Sequence, residues 1–497
     1  MEALDKNFYI TTTLAYVNAD LHIGHAAEFI RADILARHKK ALGFEVFLNT
    51  GTDEHGQKIL SAARERGVGT QVFVDEMFEK IKGQIEKMNV DYTNIIRTTD
   101  ERHQKSAQEF WKRCEQNGDI YKKNYKIRYC VGCELEKTDS ELVNGECPFH
   151  PGKKLEIREE ENYFFRFSKY QQPLLELYEK NPEFVKPAFR LNEMKKFVEG
   201  GLQDFSISRL KEKMPWGVPV PNDDRHIMYV WFDALVNYIS AIGWPDEPKQ
   251  FEKWWPVFQV AGKDNLRQQA AMWQAMLMSA GLSPSRQIHI FGFINSGGQK
   301  MSKSLGNVIN PSDIIAEYGT DALRYLVARH INMYEDSDIT MEKIKEIYNA
   351  NLANGLGNLV SRIMKMATDN LSEKVKVDPV KFKSLTGQEN EKEILEHPDY
   401  LIYTDKLNNF HLNEVMDFIW QKISSMDEKI SETEPYKLVK SADKDEQAKA
   451  KEIIRELVKE LRQIAVYLIP FMPATAQKIQ NCVRENKIPS APLFLRK

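Results

Sequence analysis

The strongest constraint on the fold is an alternation of two hydrophobic periods. NFYITTTLAYV (7–17) is β-rich and apolar, and reads as a buried strand. GHAAEFIRADILARHKKALG follows with Ala27, Ile30, Ile34, Leu35 and Leu42 at helical spacing, and Gly43 stops it. FEVFLNTG (44–51) reads as a second strand and DEHGQKILSAARERG as a second helix. Strand, helix, strand, helix predicts a parallel sheet with right-handed crossovers, an α/β fold. The rhythm returns at 227–243, 256–281 and 286–294. Between these blocks, residues 120–165 carry short β-like pieces, clustered cysteines and the charged IREEENYFF, the texture of an insertion. From about 342 onward the pattern is helical, broken by the charged linker KVKVDPVKFKSLTGQEN, and no solenoid period appears. That predicts a bundle.

The 497 residues are too many for one ordinary core and imply two to four domains. The net charge of −3 gives no overall basic field, so nucleic acid would have to meet a local patch. No apolar run is long enough to span a bilayer, and the N-terminus lacks the zones of a signal peptide. A cytoplasmic protein is expected. Of five cysteines, three lie between Cys130 and Cys147, which in a reducing compartment suggests metal before disulfide.

Three motifs carry chemistry. LHIGH (21–25) sets His22 and His25 at the turn from the first strand into the first helix. Ligands of open parallel sheets bind beyond the carboxyl ends of strands, where helix N-termini attract anions. Gly24 lets backbone approach a ligand closely. A metal is disfavoured, because no further ligand lies nearby and protease-type zinc pairs use i, i+4. Alone, H-x-G-H would as readily be two surface histidines. Lys300-Met301-Ser302-Lys303-Ser304 follows Gly297-Gly298 and precedes Leu305-Gly306-Asn307. Two lysines in such a loop suit a polyphosphate, although alone the loop reads as solvated. Cys130-x2-Cys133, thirteen residues, then Cys147-x2-His150 has the spacing of a tetrahedral zinc site. Four protein ligands leave no open position, so the expected metal is structural. Cys114 and Cys482 read as core.

HIGH followed 275 residues later by KMSKS, both on α/β texture, resembles the class I aminoacyl-tRNA synthetases, where the two motifs clamp ATP. YVNADLHIGH, TGTDEHGQKI, SISR, YVWFDALVNY, GKDN and KMSKSLGNV, in this order, resemble the methionyl-tRNA synthetase family over almost the whole chain. The resemblance implies a Rossmann-like parallel-sheet catalytic domain with a zinc-knuckle insertion and a C-terminal all-α anticodon-binding bundle. The expected boundaries are 1–115 and 186–299 for the catalytic halves, 116–185 for the insertion, 300–345 for the KMSKS loop and stem-contact region, and 346–497 for the bundle. It further implies ATP-dependent activation of L-methionine with Mg²⁺, structural Zn²⁺, and transfer to the 3′ end of tRNA(Met).

The same resemblance distributes roles. His22, His25, Lys300 and Lys303 become catalytic, and Gly24, Glu28, Asp264 and Ser302 further ATP contacts, with Asp33 as another candidate. Asp53 would hold the ammonium group of methionine (it could otherwise cap a helix), with Arg209 as a second polar group. Leu14, Tyr16, Trp231, Ala234, Leu235, Tyr238, Asn265, Gln269 and Trp273 would line the methionine pocket. Trp231, Ala234, Leu235 and Tyr238 fall at i, i+3, i+4, i+7, a stripe that by itself reads as core. A thioether beside aromatic rings gains contacts of about 0.3–1.5 kcal/mol each. Asn358 and Arg362 share a helix face and are the implied readers of a CAU anticodon. Tyr436 stands where the family has a stacking tryptophan.

The sequence departs from the family pattern in other places too. Ala15 replaces a proline, and Asn265 and Gln269 replace an isoleucine and a histidine of the GKDIxxFH segment. A glutamine donates toward sulfur without becoming charged. The alternatives are a sibling class I synthetase for cysteine, valine, isoleucine or leucine, an adenylate-forming nucleotidyltransferase without a tRNA product, and a non-catalytic RNA-binding relic. The absence of a bulky editing insertion weighs against valine, isoleucine and leucine, and a cysteine enzyme would need a metal in its amino-acid pocket, whereas the one cluster lies in the insertion. The anticodon-type bundle weighs against the nucleotidyltransferase, and the intact histidines and lysines against the relic. With no extra C-terminal module, a monomer is expected.

Overall fold

The computed structural model describes residues 6–133, 135–137, 142–301, 306–375 and 398–497. Four parallel strands form early: β1 (Asn7–Thr11), β2 (Ala15–Tyr16), β3 (Glu45–Asp53) and β4 (Asn94–Arg97). Helix α1 (Ile23–Ala41) crosses from β2 to β3, and α2 (Gln57–Glu65), α3 (Thr70–Lys87) and α4 (Glu101–Gln116) follow. The expected single strand over 7–17 is divided. β1 ends at Thr11, and the backbone N–H of Thr13 turns to the Glu28 carboxylate on α1 at 2.5 Å. A residue whose N–H serves a side chain cannot continue the ladder.

The insertion is an antiparallel sheet of β5 (Ile120–Cys130), β6 (Leu135–Lys137), β7 (Glu156–Phe165) and, beyond β8 (Val185–Lys186), β9 (Phe205–Ser206), in the order β6-β5-β7-β9. β8 itself joins the parallel sheet, so the chain returns to that sheet before β9 goes back to the insertion. The strand expected at 227 is β11 (His226–Met228), which pairs antiparallel with β10 (Ser208–Leu210) outside the main sheet. β12 (Phe258–Gly262) and β13 (Gln287–Phe291) complete a seven-stranded sheet, ordered β2-β3-β1-β12-β13-β8 with β4 beside β3. β14 (Ile294–Ser296) and β15 (Gln299–Lys300) form a small hairpin ahead of the lysine loop.

From Met341 the chain is helical. A run from Met341 through a π-helical stretch (Tyr348–Gly357) continues to Asn370, and further helices span Pro398–Asn408, Leu412–Thr433, Lys444–Leu468 and Pro473–Glu485. The linker expected at 374–390 lies, apart from Lys374 and Val375, outside the described residues. One apolar cluster runs from Phe8, Ile10 and Ile34 through Leu323 to Leu461 and Phe471, so sheet and bundle share a core. A second cluster, with Phe110, Trp111, Phe232 and Trp273, backs the other side of the sheet. Among the described residues, no helix is long and apolar enough to cross a membrane.

Candidate active site

The carboxyl ends of β1 and β12 open into a cavity of about 400 Å³. α1 starts at its edge with a reciprocal cap. His22 Nδ1 accepts the Gly24 N–H at 3.1 Å, and His25 Nδ1 accepts the His22 N–H at 3.3 Å. The two rings stack with centroids 3.9 Å apart. A Cβ on Gly24 would stand 2.8 Å from the His22 ring, so only glycine fits. Burial lowers both imidazole pKa values, with Asp264 opposing the shift at His22 and the neighbouring His22 adding to it at His25. Both rings are therefore neutral near pH 7. Because each Nδ1 is an acceptor, each ring carries its proton on Nε2.

Glu28 continues this face of α1. Its Oε1 accepts from the Thr13 N–H and, at 2.6 Å, from the Thr13 hydroxyl. Burial, reinforced by Asp264, raises its carboxyl pKa to about 7. Asp264 follows Gly262, where a Cβ would come within 2.8 Å of the Asp264 carboxylate. Lys300, on β15, also lines the cavity, its ammonium 4.8 Å from the centroid of Phe293. Ser302 and Lys303 lie outside the described residues.

Much of the remaining lining is apolar and aromatic. Leu14, Tyr16, Trp231, Ala234, Leu235, Tyr238, Asn265 and Gln269 contribute to it with Asp53. Tyr16 and Asp53 are register partners across β2 and β3, which puts a ring beside a carboxylate. Ala15, one residue earlier, is buried opposite Thr52. Two expected pocket residues stand back. Trp273 is fully buried behind the wall, stacked on Phe110 at 5.5 Å and edge-on to Tyr238 at 5.8 Å. Arg209 donates to the Ser206 hydroxyl and the Ser208 carbonyl and packs over Tyr229, and it does not line the cavity. Asp33 lies outside the cavity too: it is buried in ion pairs with Arg37 and Arg324.

Several lining residues had no sequence-based assignment. Thr13 ties the broken strand to Glu28. Arg31 is buried over Phe291 and donates to the carbonyls of Ile331 and Asn332 at 2.8 and 2.9 Å. Lys58 donates to the Gly132 carbonyl at 2.7 Å, and Cys133 also faces the cavity. The available signals were the one-turn spacing of His25, Glu28 and Arg31 on α1 and the lysine within TGTDEHGQKI.

Cys130, Cys133, Cys147 and His150 bring their ligand atoms within 4.8 Å of one another. Cys133 Sγ lies 3.4 Å from Cys147 Sγ and 3.2 Å from His150 Nδ1, and Cys130 Sγ lies 3.8 Å from the same nitrogen. A tetrahedral ion with Zn–S bonds near 2.3 Å sets ligand edges of about 3.8 Å, so this donor set fits Zn²⁺. Gly132 makes room for it, since a Cβ there would come within 2.4 Å of the His150 ring.

In the bundle, Asn358 is exposed and Arg362 is half-buried and paired with Asp427. Tyr436 is 41% exposed and donates from its hydroxyl to Glu434 at 3.2 Å, so it is not a core residue.

The model for "tRNA synthetases class I (M)" matches residues 8–154 and 149–364. The Methionine--tRNA ligase of Thermotoga maritima is 40% identical over 492 residues, covering 97% of this chain and 76% of that protein. The Methionine--tRNA ligase of Nostoc sp. is 45% identical over 368 residues, 73% of this chain and 69% of that protein. In structure, the chain is similar to Mycobacterium tuberculosis methionyl-tRNA synthetase in complex with methionyl-adenylate, with a TM-score of 0.88, 34% identity, and coverage of 99% of this chain and 97% of that one. On these grounds the chain belongs to the methionine–tRNA ligase family of class I aminoacyl-tRNA synthetases.

Proposed function

We infer that this chain activates L-methionine with ATP to methionyl-adenylate and transfers the methionyl group to the 3′-terminal adenosine of tRNA(Met). The observation that carries the reading is that His22, His25 and Lys300 line one cavity together with aromatic and aliphatic side chains and Asp53. The attacking methionine carboxylate is already an anion, so the step needs positioning and charge stabilisation more than a base. The Nε2–H groups of His22 and His25 donate to the phosphates of ATP, which enters as its Mg²⁺ complex. Lys300 and Lys303 close over the β- and γ-phosphates, and Ser302 belongs to the same loop. Gly24, Glu28 and Asp264 line the nucleotide side. Asp53 holds the ammonium of methionine, and Trp231, Leu235 and Tyr238 surround its side chain. Trp273 supports this wall from behind through Tyr238, and Arg209, held by Ser206 and Ser208, stands outside it.

Cys130, Cys133, Cys147 and His150 hold a structural Zn²⁺. In the bundle, Asn358, Arg362 and Tyr436 read the CAU anticodon. A monomer acting in the cytoplasm completes the reading. The deciding experiment is ATP–pyrophosphate exchange with each of the twenty amino acids, followed by charging of total tRNA. Methionine alone should drive exchange, and only methionine tRNAs should be charged; exchange driven by another amino acid would transfer the chain to a sibling specificity. Tyr436→Ala should raise KM for tRNA about fivefold or more, the size of one lost base stack. An effect no larger than that of a neighbouring surface change would remove Tyr436 from the anticodon site.

A further inference from the structure

Beside the cavity lining, three elements meet at one buried carboxylate. Asp233 lies on the short helix Val230–Ala234, between Trp231 and Ala234 of the lining, and is fully buried. Its Oδ2 lies 2.7 Å from His55 Nδ1, and its Oδ1 lies 2.9 Å from His103 Nε2 on α4. Both rings are buried too. Burial opposes ionisation of this carboxyl, but the two imidazoles outweigh it and hold its pKa below the usual carboxylate value. An ionised carboxylate only accepts, so His55 Nδ1 and His103 Nε2 each carry a proton. His103 Nδ1 is in turn 2.9 Å from the Ser240 hydroxyl, which holds that ring from its other side.

His55 stands two residues beyond the end of β3, where Asp53 lines the cavity. The backbone N–H of His55 donates to Asp53 Oδ1 at 3.4 Å. Glu54, between them, is held as well: its carbonyl accepts from the Trp216 indole N–H at 2.6 Å, and its carboxylate pairs with Arg97 at 2.8 Å. One contact of the Asp53 carboxylate is therefore to a backbone N–H whose own ring is tied to Asp233.

We propose that Asp233, acting through His55, is a positioning residue that holds the Asp53 carboxylate against the ammonium group of bound methionine. The inference rests on the assignment of Asp53 to that ammonium. When the His55 tie is cut, the helix that carries Trp231 keeps its second anchor, His103. The pocket wall then stays in place, and the loss falls on ligands that carry an ammonium group.

The test compares methioninol with the same alcohol lacking its amino group, as competitive inhibitors of methionine-dependent ATP–pyrophosphate exchange. The proteins are the wild type, His55→Leu, His55→Asn and Asp233→Asn. The two alcohols share the thioether side chain and differ only in the ammonium. His55→Leu removes the donor to Asp233, whereas in His55→Asn the side-chain amide nitrogen takes the place of Nδ1. Ki for methioninol should rise about tenfold or more in His55→Leu and Asp233→Asn, the scale of a hydrogen bond to a charged group. It should return to within about threefold of wild type in His55→Asn. Ki for the desamino alcohol should stay within about twofold of wild type throughout, which shows an intact pocket. If Asp233→Asn does not fold, the two His55 variants decide alone. Equal rises for both alcohols, an unmoved methioninol Ki in His55→Leu, or a His55→Asn variant as impaired as His55→Leu would each overturn the proposal. A wild type that binds the two alcohols equally well, or shows no methionine-dependent exchange, would instead overturn the reading of Asp53 and its cavity, and the relay with it.

Discussion

At His22 and His25 the backbone fixes the chemistry of the side chain. Capping occupies each Nδ1, burial keeps the rings neutral, and the proton remains on Nε2. His25→Ala should therefore depress the rate of adenylate formation about 10²–10³-fold, the usual effect of losing a donor aimed at developing charge. Methionine KM from pyrophosphate exchange should move far less. Equal losses in both would mean that the imidazole only shapes the pocket. Glu28 carries a pH signature. Its carboxyl titrates near 4.5 when unfolded and at about 7 when folded, because burial, aided by Asp264, disfavours the carboxylate. The folded protein thus binds the extra proton between these values, and stability on this account is full below pH 4.5 and declines as pH rises to about 7. The difference corresponds to about 3 kcal/mol. Thermal melts from pH 5 to 8 should show a downward slope in the wild type that Glu28→Gln flattens; parallel curves would assign the slope to another group. His22 and His25 were legible because one short motif holds them together, and Glu28 only through the family resemblance. Lys58 and Thr13 were not, because their roles depend on a carbonyl 74 residues away and a carboxylate 15 residues away.

The insertion shows what an element adds. The Cys130-x2-Cys133 and Cys147-x2-His150 spacing was readable as a knuckle, and the structure brings those four side chains together. Its position was not readable. Lys58 on α2 grips the Gly132 carbonyl, so the knuckle forms part of the cavity wall. Gly132→Ala should lower zinc content, measured by metal analysis after dialysis against a chelator, because the new methyl group meets the His150 ring. Cys147→Ala should lose the metal altogether and expose the knuckle loop to protease. The helical bundle, which shares no core with the knuckle, should keep its resistance. Full zinc retention in either variant would refute this ligand arrangement. The strand read at 7–17 divides for a related reason: period-2 patterning reports apolar character, and Glu28 decides which N–H leaves the ladder.

Across the whole molecule, one buried guanidinium joins distant parts. Arg324 donates to Asp33 on α1 at 2.6 Å, to the carbonyls of Met88 and Asn89 after α3, and to those of Pro470 and Phe471 in the bundle. With Arg31, which reaches Ile331 and Asn332, it fixes the helix bearing His22 and His25 against the helical half of the chain. Arg324→Met should destabilise the protein by about 3–5 kcal/mol in urea unfolding, since buried Asp33 keeps only Arg37 as an ion-pair partner and four backbone carbonyls lose their donor. The double variant Asp33→Leu, Arg324→Met should recover part of that loss. An additive double variant would show that the carbonyl contacts, not the ion pair, hold the two halves.

The sequence by itself determined the α/β class, the HIGH and KMSKS motifs, the Cys3His cluster and the amino-acid family, because each is written in local periodicity or in short fixed spacings. Only the tertiary structure decided that His22, His25 and Lys300 line one cavity, that Trp273 packs behind its wall while Arg209 stands outside it, and that Asp33 belongs to a buried clasp. Those outcomes depend on contacts between residues tens to hundreds of positions apart, and no local pattern encodes which of the available partners a buried polar group will meet.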